Sequence, residues 1–260
     1  MRFALLALGC VMAVAPRCFA VPPLVSGDVP TADKETFELY SGMRYQSESD
    51  SVNRQLPIVE FIYGLTDRQE ITFEIPFLSQ HGEHGFGDAI VGTKYVFVKE
   101  ANALPGVAGS FELKLPSGSA SRGLGSDVYD YDFRLRAQKT WGWFTAMGNV
   151  GYTIIGEPES GGITQSRNNV WFASFVQEYQ VSSKTKLLSE IYLETSEEPG
   201  QPNRFAADVG FEKEIAHNLT FQAAEGKSLR EGNHGGPGLR IYVGLHWVFD
   251  APWKRKAVTI

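Results

Sequence analysis

Hydrophobic and polar residues alternate along most of this chain, in blocks of about ten residues. The last block is the clearest. Leu239, Ile241, Val243, Leu245, Trp247 and Phe249 share one face of an extended strand, while Arg240, Tyr242, Gly244 and His246 share the other. Ile71, Phe73, Ile75 and Phe77 alternate with Thr72, Glu74 and Pro76, and Phe111, Leu113 and Leu115 alternate with Glu112 and Lys114. Tyr129, Tyr131, Phe133 and Leu135 alternate with Asp130, Asp132, Arg134 and Arg136. Leu187, Ile191 and Leu193 oppose Glu190 and Glu194, and Phe205, Ala207, Val209 and Phe211 oppose Arg204, Asp208 and Glu212. The pattern predicts twelve strands, over 36–45, 55–64, 69–78, 88–98, 106–116, 127–139, 143–155, 169–181, 185–195, 204–214, 218–227 and 238–249. No helical period competes with them.

Most of these runs are longer than the roughly 5–6 residues of a globular strand and close to the roughly 9–11 that a tilted strand needs to cross a bilayer. A soluble sandwich shows similar alternation, so the connections have to decide. Those at 46–54, 79–87, 117–126, 156–168, 196–203 and 228–237 are long and polar or Gly-rich. Those at 65–68, 99–105, 140–142, 182–184 and 215–217 are mostly short. Long loops at one end and short turns at the other predict an all-β, 12-stranded antiparallel up-and-down transmembrane β-barrel with both termini on the periplasmic, short-turn side. Lipid supplies no hydrogen-bond partners, so the sheet must close on itself. Tyr63, Tyr95, Trp141, Trp143, Tyr152, Trp171, Tyr179, Trp247 and Phe249 fall near strand ends, where aromatic girdles form at headgroup level.

The N-terminus agrees on the compartment. Met1-Arg2, an apolar run from Phe3 to Ala15 and a cut after Ala20 read as a signal peptide over 1–20. The run is too short for the roughly 20 residues of a spanning helix. A lipoprotein reading of Cys10 is weakened because the apolar run continues past it. Both cysteines, Cys10 and Cys18, lie inside this segment, which leaves no disulfide or thiol chemistry downstream. Without Arg2 and Arg17 the chain has 22 basic residues against 30 acidic ones, an acidic balance that argues against nucleic acid as a partner. Residues 21–35, with three prolines, are a periplasmic or lumenal segment, either a small plug or a disordered tail. The barrel covers 36–249, and 250–260 form a C-terminal tail.

From Pro57 to Gly156 a series of short motifs follows: Tyr63-Gly64-Leu65-Thr66-Asp67-Arg68, Gly85-Phe86-Gly87-Asp88 leading to Gly92-Thr93-Lys94-Tyr95-Val96-Phe97, Leu115-Pro116-Ser117-Gly118, and Asn149-Val150-Gly151-Tyr152. In order and spacing this resembles the outer-membrane, transporter-like family labelled meta-pathway of phenol degradation. The resemblance implies an outer-membrane barrel associated with aromatic catabolism and supplies no substrate. Gly244, Trp247 and Phe249 also resemble the terminal-strand signal by which the barrel-assembly machinery recognises its clients, although eleven residues, Asp250 to Ile260, follow it. Locally, Gly64 to Asp67 read as a tight turn and Leu115 to Gly118 as the end of a strand before an outer loop.

With the apolar face toward lipid, Glu60, Glu74, Asp88, Lys94, Glu112, Lys114, Asp130, Asp132, Arg134 and Arg136 point into the lumen. Twelve strands about 4.8 Å apart and tilted about 40° enclose a lumen on the order of 10 Å across. Two readings of these charges stay open. They pair across neighbouring strands and fill the interior, or they set up a transverse field that orients a polar or anionic aromatic solute.

Enzymatic chemistry finds little support. His81, His84 and His234 fall in outer loops, His217 in a turn and His246 on the lumenal face, with no serine elbow in the sequence. His81-Gly82-Glu83-His84 lacks a third metal ligand, and the Ser119–Gly125 loop lacks the helix that a phosphate cradle needs. No catalytic residue, metal or cofactor is expected. The expected function is passive uptake of small solutes, aromatic ones among them, with outer-membrane lipid, the assembly machinery and the solute as partners. The alternatives are a structural or adhesive barrel with a closed lumen and, behind it, an outer-membrane hydrolase.

Overall fold

A computed structural model describes residues 22–47, 52–80, 82–160, 163–230 and 238–254. The twelve expected strands all form: β1 (Thr36–Ser47), β2 (Val52–Thr66), β3 (Gln69–Gln80), β4 (Ile90–Val98), β5 (Gly106–Lys114), β6 (Asp130–Trp141), β7 (Phe144–Ile154), β8 (Val170–Ser182), β9 (Thr185–Glu194), β10 (Arg204–Ala216), β11 (Leu219–Ser228) and β12 (Leu239–Asp250). Each pairs antiparallel with its neighbours in sequence. β1 also pairs with β12 along its whole length, from Thr36 opposite Asp250 to Ser47 opposite Leu239, so the sheet is a closed barrel.

Departures from the expected boundaries have local causes. β6 starts at Asp130 rather than 127 because Asp127 adopts a positive φ of 62°, which takes the chain out of extended geometry. β2 begins earlier than expected because Val52 to Gln55 pair with Arg44 to Ser47 of β1, which shortens the first long connection. Two further strand pairings extend the outer loops: Glu83–Phe86 folds back on β3, and Glu159–Ser160 pairs with Ile163–Thr164. The short turns lie at the opposite end, two of them closed by left-handed residues, Gly142 (φ 62°) and Asn218 (φ 59°).

The alternation seen in the sequence becomes an inside and an outside. Along β6, Asp130, Asp132, Arg134 and Arg136 are buried while Tyr131, Phe133 and Leu135 are exposed. Phe61, Phe73, Phe175, Ile191, Val209 and Leu245 continue the exposed apolar belt around the barrel. In water such a belt would be untenable, and in a bilayer it is the required surface. Trp141, Trp143, Trp171 and Trp247 all face outward, and Trp143–Tyr179 and Tyr152–Trp171 rings pack together near the two rims. The protein is an outer-membrane β-barrel.

The chain after β12 folds back against the periplasmic rim. Ala251 is buried and donates its N–H to Glu35 O at 2.9 Å. The Trp253 indole packs against Phe37 and Tyr63, and Lys254 bonds Asp250 at 2.6 Å. That bond, opposed only by slight desolvation, raises the Lys254 pKa.

Candidate functional site

The lumen has two walls of different chemistry, and both follow from the inward phase of their strands. On β2–β6 the inward positions carry a ladder of charged groups, with Ile58, Ile62, Val96 and Ala108 buried between them. Lys114 lies 2.5 Å from Asp130 and 3.7 Å from Asp88, and Arg134 Nε lies 3.0 Å from Asp132. Lys94 is 3.1 Å from Glu70, and Arg136 donates to Ser110 Oγ at 2.9 Å. Asp130 and Asp132 are completely buried and carry further bonds, from Gly156 N (2.9 Å) and Thr153 Oγ1 (2.6 Å). Charges withdrawn from water in this way persist only when paired and hydrogen-bonded.

On β7–β12 an apolar strip appears among the inward positions: Met147, Phe172, Val176, Leu188, Tyr192 and Ala224 are all buried. Thr145, Asn149, Thr153, Glu190, Asp208, Gln222 and Arg240 are buried beside it, with Arg240 paired to Asp208.

Residues 22–35 lie inside the barrel between the two walls. Leu24 packs with Met147, Val176, Leu188, Ala224 and Tyr242, and Val25 lies against Phe172, Tyr192 and Ala206. Further along, Val29 packs on Val96 and Ala108, and Ala32 on Tyr40 and Ile62. Polar contacts hold the segment's backbone. Val25 N donates to Glu190 (2.9 Å), Ala32 N to Glu70 (2.7 Å) and Val29 N to Gln138 (3.3 Å). Pro22 O and Pro23 O accept from Gln222 (3.3 Å) and Arg240 (3.2 Å). Ser26 bonds Glu190 and Ser174, and Asp28 pairs with Lys94 at 3.2 Å. The segment is therefore a plug.

Gly64 is what lets the plug leave the barrel beside β2. A Cβ there would stand 2.0 Å from Asp33 O, and Glu35 N bonds Gly64 O at 2.8 Å. Gly64 thus sits within β2 as a site of close backbone approach, and the expected tight turn is made by Asp67 and Arg68 alone.

Space remains around the plug. A chamber of about 250 Å³ lies on its periplasmic side, between Leu24, Met147, Val176 and Leu188 and the polar groups Glu178 and Glu212. His246 stacks on Tyr40 there, with ring centroids 4.0 Å apart, and bonds Glu38 at 2.9 Å. A second space, of about 300 Å³, opens at the periplasmic mouth beside Asp33, Asp67 and Glu100. Burial pushes the Glu100 carboxyl up, but the Thr140 N–H and Lys139 outweigh that effect and hold its pKa below the usual 4.5. Deeper in the charged wall, a cavity of about 20 Å³, room for roughly one water, is bordered by Glu60, Glu70, Glu74 and Glu112. Glu60 and Glu74 face each other across β2 and β3, and Glu60 Oε2 is buried without a partner.

Of the ten lumenal candidates, nine project inward from strands: Glu60, Glu74, Lys94, Glu112, Lys114, Asp130, Asp132, Arg134 and Arg136. Asp88 is the exception. It precedes β4 at the outer mouth and pins the 115–129 loop, accepting from Gly118 N (2.8 Å), Ser126 N (2.9 Å) and Ser126 Oγ (2.9 Å). Sequence reasoning missed Glu70, although continuing the β3 alternation back from Glu74 through Thr72 would have found it. It also missed Glu190 and Arg240 as plug contacts, Asp208 as the partner of Arg240 and Glu38 as the partner of His246. Only the closed fold brings these groups together across distant strands. Among the histidines, His81 and His234 lie outside the described residues, and His84 is exposed in the loop extension of β3. No group of three or more potential metal ligands occurs among the described residues.

With this geometry in place, the likenesses to known proteins can be weighed. The model of the family described as "Putative MetA-pathway of phenol degradation" matches residues 32–237. The structure is similar to a COG4313 outer membrane channel from Pseudomonas putida F1, with a TM-score of 0.73, 17% identity, and coverage of 88% of this chain and 100% of that one. It is also similar to the NanC porin (TM-score 0.58, 11% identity, 81% and 98% covered) and the KdgM porin (0.53, 11%, 82% and 99%). At these identities the likeness is one of fold. No curated protein matches the chain.

Proposed function

The chain belongs to the family described as "Putative MetA-pathway of phenol degradation", and from that premise we propose that it is an outer-membrane channel for passive uptake of small solutes, aromatic compounds among them. One observation carries the reading: a charged wall and an apolar wall face each other with a chamber of about 250 Å³ between them. That is larger than the cavity of about 150 Å³ that holds benzene in an apolar protein interior. Met147, Val176 and Leu188 offer a face for a ring, and the charged wall keeps the path hydrated. Signal removal after Ala20 and hand-over of β12 to the assembly machinery complete this reading. No catalytic step is part of this reading.

Single-channel recording of the refolded protein, with and without phenol and benzoate, tests the proposal. Conductance is expected to be small with the plug in place and to rise severalfold when residues 22–31 are deleted. No conductance in either form would sink the channel reading and leave a closed structural barrel, the alternative that the many plug contacts favour. Neutralising Arg134 and Arg136 is expected to shift the reversal potential toward cation selectivity, and an unchanged potential would separate these residues from the solute path.

A further inference from the structure

The periplasmic chamber sets a surplus of acid against an apolar face. Five carboxylates line it, Asp28, Glu38, Glu70, Glu178 and Glu212, against two ammonium groups, Lys94 and Lys186. Both lysines are already engaged. Lys94 sits between Asp28 (3.2 Å) and Glu70 (3.1 Å), and Lys186 is 3.1 Å from Glu178. Glu38 accepts from His246 and from Tyr40 Oη (3.1 Å).

Glu212 is different. Its neighbour across β9 and β10 is Lys186, which is turned to Glu178, and the bond it receives comes from the neutral amide of Gln222 at 2.8 Å. Gln222 is itself 1% exposed and holds this bond from behind the chamber wall. What the chamber lacks is therefore a donor with positive charge. Its other side is apolar, formed by Leu24, Met147, Val176 and Leu188. A solute that suits both sides has a ring or short hydrocarbon body and an ammonium head.

We propose that this chamber is a binding site for a ring-sized organic ammonium ion, its body on Met147, Val176 and Leu188 and its head toward Glu212, and that it discriminates against carboxylates of the same size. A carboxylate entering here would leave water for a surplus of like charge with no free cation to receive it. The inference deepens the channel reading and rests on it for access to the chamber.

Calorimetric titration of the full-length, detergent-solubilised barrel with benzylammonium, benzyl alcohol and benzoate tests it. Benzylammonium is expected to bind at least about tenfold more tightly than benzoate, the factor one unscreened charge contact supplies at short range. Glu212→Gln should abolish that preference while leaving benzyl alcohol unchanged. Leu188→Trp, which fills the chamber, should remove binding of all three, with heat-modifiable gel migration reporting that each variant is folded. Equal or tighter binding of benzoate, or binding untouched by Leu188→Trp, overturns the proposal. Because the titration needs no ion current, ammonium binding without conductance would sink the channel reading alone, and conductance without ammonium preference would sink this one alone.

Discussion

The wall of β2–β6 and the wall of β7–β12 enclose the same plug and hold it by different physics. The first offers ionised groups in a fixed ladder, Lys114 with Asp88 and Asp130, Arg134 with Asp132, Lys94 with Glu70. Plug contacts there are both polar, with Asp28 on Lys94 and Ala32 N on Glu70, and apolar, with Val29 on Val96 and Ala108 and Ala32 on Ile62. The second offers Met147, Phe172, Val176 and Leu188, against which Leu24 and Val25 pack, with Glu190 as its main polar anchor. Ion pairs are directional and fail when one partner is lost, whereas apolar packing is graded and tolerates small shifts. The comparison teaches that the charged wall serves the barrel and the apolar wall serves the plug, so each can be broken without the other.

The largest effect is expected on the charged wall. Asp130→Ala strips Lys114 of its closest partner and Gly156 N of its acceptor, which should cost about 3–5 kcal/mol of barrel stability. Urea titration followed by gel migration reads this, and a loss confined to channel gating would break the division of labour. On the apolar side, Leu24→Ala should weaken plug docking by about 2–4 kcal/mol through the cavity it leaves. Barrel stability should stay put while long open events appear in single-channel records.

Glu190→Gln should act in the same direction with a smaller effect, about 1–3 kcal/mol, because an amide keeps one acceptor for Val25 N or Ser26 Oγ. Open probability in this variant that falls below the unmodified protein would contradict the assignment of Glu190 as a plug anchor. The smallest effect lies outside the walls, at the periplasmic turn. Glu100 has a lowered pKa, so its bonds to Thr140 N (2.7 Å) and Lys139 (3.2 Å) add stability above pH 4.5, and this is lost as pH falls through the lowered value. Glu100→Gln should flatten that step in an acid-unfolding curve, and an unaltered curve would remove the turn from the pH response.

Legibility from the sequence followed interaction range. Strand phase is a property of neighbours two residues apart, which is why nine charged positions on β2–β6 were placed inward before any fold was known. Asp88 stands beside Lys114 as its neighbours do, but it also leaves the strand to hold a loop some thirty residues away, and no periodicity encodes that. Gly64 was assigned to a turn because glycine next to Thr66-Asp67 fits one, whereas the space it frees is for Asp33. The plug had the weakest signal of all. Residues 22–35 carry no alternation, and their prolines suit a tail as well as a lumenal segment.

What the sequence determined by itself was the barrel. An apolar belt on every second residue, strand lengths matched to a bilayer and an alternation of long and short connections leave closure as the solution that satisfies every backbone group in lipid. What only the tertiary structure decided was the content of the lumen. The pairing of β1 with β12 sets Glu38 beside His246, the register of β10, β11 and β12 brings Asp208 to Arg240 across Gly226, and the lumenal path of the plug puts Val25 and Ser26 within reach of Glu190. These contacts join residues apart in the chain, and their energies depend on distances that only the assembled barrel sets.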